Sequence, residues 1–234
     1  MKVIAHRGAS GYEPENTLLA IEAAIVMEVD AVEIDLHLVE GILVVIHDRW
    51  LDKTTDGSGR LKDLTFQELR SVDAGKGQKI PTLWEVLRLV NGRCALNLEL
   101  KSDETVEPLL EILSRASQEL NFKPEQFIIS SFNHHLLKLL HLKTEDFRIG
   151  ALTGSRPLGY AEFAEKLGAY SIHIDVDILN QAFVDDAHCR GLKVFVYTVD
   201  KEEDIADLIN MTVDGIFTNY PTRSMVKIAH FKSE

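Results

Sequence analysis

Cysteine is nearly absent: Cys94 and Cys189 are the only two in 234 residues. Two isolated thiols exclude a disulfide framework and a cysteine-built zinc site, and both are read as reduced structural residues. Positive charge is scarce as well, with 25 Lys and Arg against 37 Asp and Glu and a net charge of −12. That balance argues against non-specific nucleic-acid binding and against docking on anionic membrane surfaces. It leaves room for a small anionic substrate, provided the pocket is locally basic or holds a cation. No stretch approaches the roughly 18–20 apolar residues of a membrane span. The opening Met1-Lys2-Val3-Ile4-Ala5-His6-Arg7-Gly8 also lacks the apolar core of a signal peptide. The expectation is a cytoplasmic protein with no integral membrane segment and no nucleic-acid partner. There is no repeat of fixed period. No G-x-G-x-x-G follows the first strand-like segment, which disfavours an open dinucleotide-binding sheet.

What is present is an ordinary globular composition, 45% hydrophobic and 26% charged, ample for one large core. The chain is organised around Val32-Glu33-Ile34-Asp35-Leu36. Apolar and acidic residues alternate there, the period of a strand, so Glu33 and Asp35 point to one face. The flanks, Ala31, Leu38 and Leu43-Val44-Val45-Ile46, are strongly apolar. Carboxylates in such surroundings need compensation. A hard divalent cation supplies it; a solvated face or an ion pair are the alternatives.

Strand-like runs recur near residues 3, 32, 95, 127, 147, 170, 193 and 214, most followed by a helical pattern. Helices are expected from Leu18 to Ile25, with Asn16 or Thr17 as cap, and from Leu83 after Thr82. Others are expected over 104–120, 134–142, 158–167, 181–190, 202–211 and 222–230. Alternating strand and helix implies a parallel sheet. Eight such units favour closure into a (β/α)8 TIM barrel, one domain over 1–234. The stretch from Asp52 to Lys79, with Gly57, Gly59, Gly75 and Gly77 and only a short amphipathic piece, reads as an insertion after the second strand.

Function in such a barrel sits at the C-terminal ends of the strands. His6 and Arg7 are placed at the end of strand one, Glu33 and Asp35 at the end of strand two, and His47 at the end of its extension. Glu99 and Lys101 fall on the next strand, again two apart. Glu33, Asp35 and Glu99 suit a hard cation. Arg7 and Lys101 suit a phosphate, and His6 and His47 suit general base and acid. Three nearby carboxylates would hold Lys101 charged, which disfavours a Schiff-base role. Phe132 and Tyr197 are candidate pocket walls or core residues, and His134, His135 and His173 read as structural.

The blocks His6-Arg7-Gly8, Glu15-Asn16-Thr17, Glu33-x-Asp35, His47-Asp48 and Glu99-x-Lys101, in this order, resemble the glycerophosphodiester phosphodiesterase family. Ser130-Ser131-Phe132, Thr198-Val199-Asp200 and Asp214-Gly215-Ile216-Phe217-Thr218 are similar to its later motifs, so the likeness covers nearly the whole chain. The resemblance implies a TIM barrel with a small insertion and a divalent ion, Mg2+, Ca2+ or Mn2+, held by Glu33, Asp35 and Glu99. It implies His6 and His47 as the acid–base pair, Arg7 and Lys101 on the phosphate, and Asn16 as a polar neighbour. The implied reaction releases sn-glycerol 3-phosphate and an alcohol. Tyr197 departs from the family, standing where many members carry Trp. The alternatives are a related phosphodiesterase of lysophospholipase D type, with Trp50, Phe66 and Leu69 as an apolar rim, and a non-catalytic phosphodiester-binding protein.

Overall fold

The structure of the protein is a computed structural model that describes residues 1–231. β1 (Lys2–Ala5) leads to α1 (Leu18–Val26), and β2 (Ala31–Val39) turns at Glu40-Gly41 into β3 (Ile42–Val45). After α2 (Phe66–Leu69) and α3 (Leu83–Val90) the alternation is regular. β4 (Ala95–Leu100) precedes α4 (Val106–Glu119), β5 (Phe127–Ser131) precedes α5 (His134–Lys143), and β6 (Arg148–Thr153) precedes α6 (Glu162–Lys166). β7 (Ser171–Asp175) is followed by α7 (Gln181–Cys189), β8 (Lys193–Tyr197) by α8 (Glu202–Asn210), and β9 (Gly215–Thr218) by α9 (Pro221–Phe231). Neighbouring parallel strands run in the order β1-β9-β8-β7-β6-β5-β4-β2, and β1 pairs β2 to close the barrel. β3 lies outside this ring, antiparallel to β2.

The apolar residues of each strand divide between two cores. Outward-facing residues such as Val32, Ile34, Leu98, Ile129, Ile172 and Val194 pack against the helices. Inside, Ile4, Ala31, Phe195 and Phe217 plug the lower barrel and leave its upper end to polar groups. A separate cluster under the hairpin, including Val44, Ile46, Leu51, Leu61, Leu69 and Ile80, gives the glycine-rich excursion its own buried centre.

Local signals set the helix starts. Thr82 Oγ1 accepts the Glu85 N–H at 3.2 Å, and Glu85 Oε2 accepts the Thr82 N–H at 2.8 Å, a reciprocal cap worth about 1 kcal/mol. Thr17 caps α1 by accepting the Ala20 N–H at 3.2 Å. Asn16, the other expected cap, instead turns into the left-handed region at φ 57° and is used elsewhere.

Candidate active site

Parallel register decides which polar residues meet. Glu33 lies opposite Asn97, and Asp35 opposite Glu99. The three carboxylates therefore share one face, and their nearest oxygens lie within 4.8 Å of one another. Glu33 and Asp35 are not at the end of β2, where the sequence pattern puts them, but in its middle. The barrel part of β2 stops near Leu36, and its last residues run past the rim into the hairpin with β3. The rim crosses β2 at mid-strand because β1 ends early, its Ala5 pairing with Val32.

Each carboxylate has a different set of neighbours. Glu33 Oε2 accepts the Arg7 N–H at 2.8 Å, while Oε1 is buried without a partner. Asp35 Oδ2 accepts Asn16 Nδ2–H at 2.9 Å, and Asn16 Oδ1 accepts the Asp35 N–H at 3.3 Å. Arg7 Nε is 3.5 Å from Asp35 Oδ2, and Lys101 Nζ is 3.3 Å from Oδ1. Lys101 Nζ also lies 2.6 Å from Glu99 Oε1, and Arg7 Nη1 2.8 Å from Glu15 Oε1. The ion-pair alternative for Lys101 and Glu99 thus describes the geometry found.

Charge does not balance inside this cluster. Burial, then the neighbouring Asp35 and Glu99, push the Glu33 carboxyl well above its usual range. Burial and Asp35 lift Glu99 to about 7 against the pull of Lys101. Burial also acts upward on Asp35, but Lys101, Arg7 and the Asn16 amide outweigh it and hold that carboxyl low. Two of three acids are left short of positive charge.

The first loop is shaped to make these contacts. Arg7 and Asn16 both adopt left-handed backbone, φ 58° and 57°, at a cost of roughly 1–2 kcal/mol each. The Asn16 N–H donates to Arg7 O at 2.9 Å and fixes the pair. Gly8, φ 79°, lets this loop touch α1, since a Cβ there would sit 2.7 Å from the Ala20 carbonyl carbon.

His6 directly follows β1 and is tied to the far end of the chain. Its Nδ1 is 2.8 Å from Asn219 Oδ1. Asn219 Nδ2 donates to Asp200 Oδ2 at 2.6 Å, and the Asn219 N–H donates to Asp200 Oδ1 at 2.9 Å. A carboxylate only accepts, so the amide nitrogen faces Asp200 and its oxygen faces His6. The proton of His6 is then on Nδ1, and Nε2 carries the lone pair. Burial, then Arg7, lowers His6 to about 4, so it is neutral at pH 7. His47 lies two residues past β3, with Nδ1 3.3 Å from Asp48 Oδ1 and its backbone oxygen 3.1 Å from His37 Nε2. Burial lowers its pKa, with Asp35 acting against it.

These groups surround a cavity of about 390 Å³ at the C-terminal end of the barrel. Eight of the ten residues singled out in the sequence line it: His6, Arg7, Glu33, His47, Glu99, Lys101, Phe132 and Tyr197. Asp35 and Asn16 stand just behind, buried and bonded to one another. Phe132 is half exposed and meets the Tyr197 ring edge-on at 6.0 Å, while the Tyr197 hydroxyl donates to Thr153 O at 2.9 Å. Sequence reasoning missed Asn97, His37 and Asn219, and met Asp200 only as part of a motif with no role attached. Asn97 was within reach, being two residues before Glu99 and so on the same face. Asn219 follows the last strand as His6 follows the first.

A family model described as "Glycerophosphoryl diester phosphodiesterase family" matches residues 6–223. A glycerophosphodiester phosphodiesterase from Caldanaerobacter subterraneus is 39% identical over 229 residues, spanning 94% of each chain. One from Bacillus subtilis is 35% identical, over 93% of this chain and 83% of its own. A phosphodiesterase from Oleispira antarctica, solved in complex with the product sn-glycerol-3-phosphate, superposes with a TM-score of 0.90 at 30% identity, covering 98% of this chain and 97% of its own. No helix among the described residues is long and apolar enough to cross a membrane. By the length of the match and by its closed barrel, the chain belongs to the glycerophosphoryl diester phosphodiesterase family.

Proposed function

We propose that the protein hydrolyses glycerophosphodiesters to sn-glycerol 3-phosphate and an alcohol, with His6 as base and His47 as acid beside a divalent cation held by Glu33, Asp35 and Glu99. The observation that carries this reading is the convergence, in one cavity, of a buried three-carboxylate cluster and two histidines. The donor set fits a hard cation such as Mg2+, Ca2+ or Mn2+: all its ligands are carboxylate oxygens, and Glu33 Oε1 is buried with no partner. When bound, the cation would neutralise the cluster and act as Lewis acid on a phosphoryl oxygen.

The chain's own groups divide the remaining work. Lys101 Nζ and Arg7 flank the carboxylates and supply positive charge beside an anionic phosphodiester. His6 is held neutral with Nδ1 donating to Asn219, so Nε2 accepts the proton of the attacking hydroxyl. That hydroxyl is a water, which gives sn-glycerol 3-phosphate directly, or the substrate's own 2-hydroxyl, in which case a water then opens the resulting cyclic phosphodiester to sn-glycerol 3-phosphate. His47 returns a proton to the departing alcohol oxygen, and the negative charge of the substrate favours its protonated form. Such positioned proton transfer accounts for about 10²–10⁴-fold in rate.

The structure gives little support to an acyl-chain substrate. Leu69 is fully buried and Phe66 packs into the cluster beneath the hairpin, which leaves Trp50 as the exposed part of the expected rim. Arg60 lies over that ring at 5.6 Å. A binding protein would have no use for two histidines aimed at one cavity. The test is release of glycerol 3-phosphate from glycerophosphocholine and glycerophosphoethanolamine, coupled to glycerol-3-phosphate dehydrogenase, with each cation and in EDTA. Cation-dependent release is expected. Undiminished release in EDTA would remove the cation from the reading, and no release under any condition would overturn it.

A further inference from the structure

Level with Glu33 and below Asp35 and Glu99, the cavity floor carries polar atoms that the proposed chemistry does not use. His173, on β7, is wholly buried and lines the same cavity. Its Nε2 lies 2.9 Å from Ser171 Oγ, and its Nδ1 has no partner. The ring is wedged against Phe195 and Phe217, with centroids 5.5 and 5.0 Å away, so it cannot turn aside. Gly150 on β6 makes its place, since a Cβ there would stand 2.5 Å from His173 Cε1. Asn97, on β4, is 2% exposed. Its Nδ2 donates to Ser130 Oγ at 2.9 Å, and its Oδ1 has no partner.

Buried polar atoms without partners are rare, and each raises the free energy of the empty site. We infer that this floor is the subsite for the glycerol arm of the substrate, selected through its hydroxyl groups by His173 and Asn97. A hydroxyl both donates and accepts. It therefore completes either tautomer of the imidazole and either orientation of the amide. A methyl group completes neither, nor does the quaternary ammonium of choline. Of the two arms of glycerophosphocholine, the polyol is the one that satisfies the floor. The variable alcohol is then left to the cavity mouth beside half-exposed Phe132, a placement that tolerates different alcohols. The inference rests on the hydrolytic reading above and names what makes that reaction specific for glycerol.

The test compares sn-glycero-3-phosphocholine with its 1-deoxy counterpart, which keeps the 2-hydroxyl and replaces only the terminal one by hydrogen. In the unaltered enzyme kcat/KM is expected to fall about 10²-fold or more on the deoxy substrate, because polar groups built to meet a hydroxyl are left unpaired. In His173→Phe and Asn97→Leu the ratio of the two kcat/KM values is expected to move toward one. Similar turnover of both substrates by the unaltered enzyme would overturn the subsite without any variant. So would an unchanged ratio in both variants, the result expected if water alone occupies the floor. Failure of the unaltered enzyme on both substrates would instead overturn the hydrolytic reading, and the subsite with it.

Discussion

β1, β2 and β4 bring the buried carboxylates and their paired cations to the cavity, whereas β5 to β9 line it largely with rings and hydroxyls, Asp175 at the end of β7 and Asp177 just past it being the exceptions. Glu33, Asp35, Glu99, Arg7 and Lys101 come from the first group with His6, and His47 follows β3, the antiparallel extension of β2. Phe132, His173, Tyr197 and Phe217 come from the second. The first half is an electrostatic construction, in which three acids share two nearby cations and two of the acids are driven toward protonation. The second half is held by packing. The Phe195–Phe217 contact around His173 and the Phe132–Tyr197 pair place their groups without charge. Closure of the barrel lets one half steady the other, since Asp200 and Asn219 follow β8 and β9 yet fix the tautomer of His6 at the end of β1.

The largest expected effect comes from breaking the charged half. Glu33→Ala, Asp35→Ala or Glu99→Ala should reduce cation-dependent turnover to background while circular dichroism still reports a folded barrel. Retained turnover in all three would dissolve the distinction between the halves. His6→Ala or His47→Ala should lower kcat about 10²-fold or more with cation binding retained; near-normal kcat in either would take that histidine out of the mechanism.

The link between the halves is tested next. Asn219→Leu removes the acceptor for His6 Nδ1–H and should lower kcat about 10-fold, with KM little changed and the Nδ1 proton signal of His6 lost from NMR spectra. An intact signal would show that the late strands do not set the tautomer. Asp200→Asn should act in the same direction and more weakly, because the backbone N–H of Asn219 still finds an acceptor.

The smallest effect is on stability in the packed half. Burial lowers His173 from the usual 6.5 to about 3. Below pH 6.5 the unfolded chain gains a proton there that the native protein does not. Stability linked to this group is therefore complete above pH 6.5 and lost as pH falls toward about 3. His173→Phe should lose less Tm than the unaltered protein between pH 7 and pH 4, and equal losses would contradict the buried neutral assignment.

Much of this was legible in the sequence for reasons peculiar to each part. The eight barrel strands are short apolar runs separated by helical patterns, and all eight are found. Glu33-x-Asp35 and Glu99-x-Lys101 announce their shared faces through the two-residue period of a strand. The position of the rim on β2 was not legible, because it depends on where β1 stops rather than on β2 itself. The excursion after β3 has no periodicity to read, its structure being short 3-10 turns and a four-residue helix over a separate apolar cluster. Asn16, Asn97 and Asn219 were hardest to interpret. A side-chain amide serves a cap, a turn or a site equally well, and its partners, 19, 33 and 213 residues away, choose between them. His173 looked structural for a similar reason, since only the closed barrel reveals that one of its nitrogens is left unpartnered.

The most direct test of the charged half is calorimetric titration of Mn2+ or Ca2+ into chelator-stripped protein, unaltered and carrying Glu33→Gln. One equivalent should bind to the unaltered protein, and the substitution should weaken it at least about 10-fold, since it neutralises a ligand while preserving shape. Absence of uptake, or equal affinity in the two proteins, would contradict the assignment of Glu33, Asp35 and Glu99 to a cation.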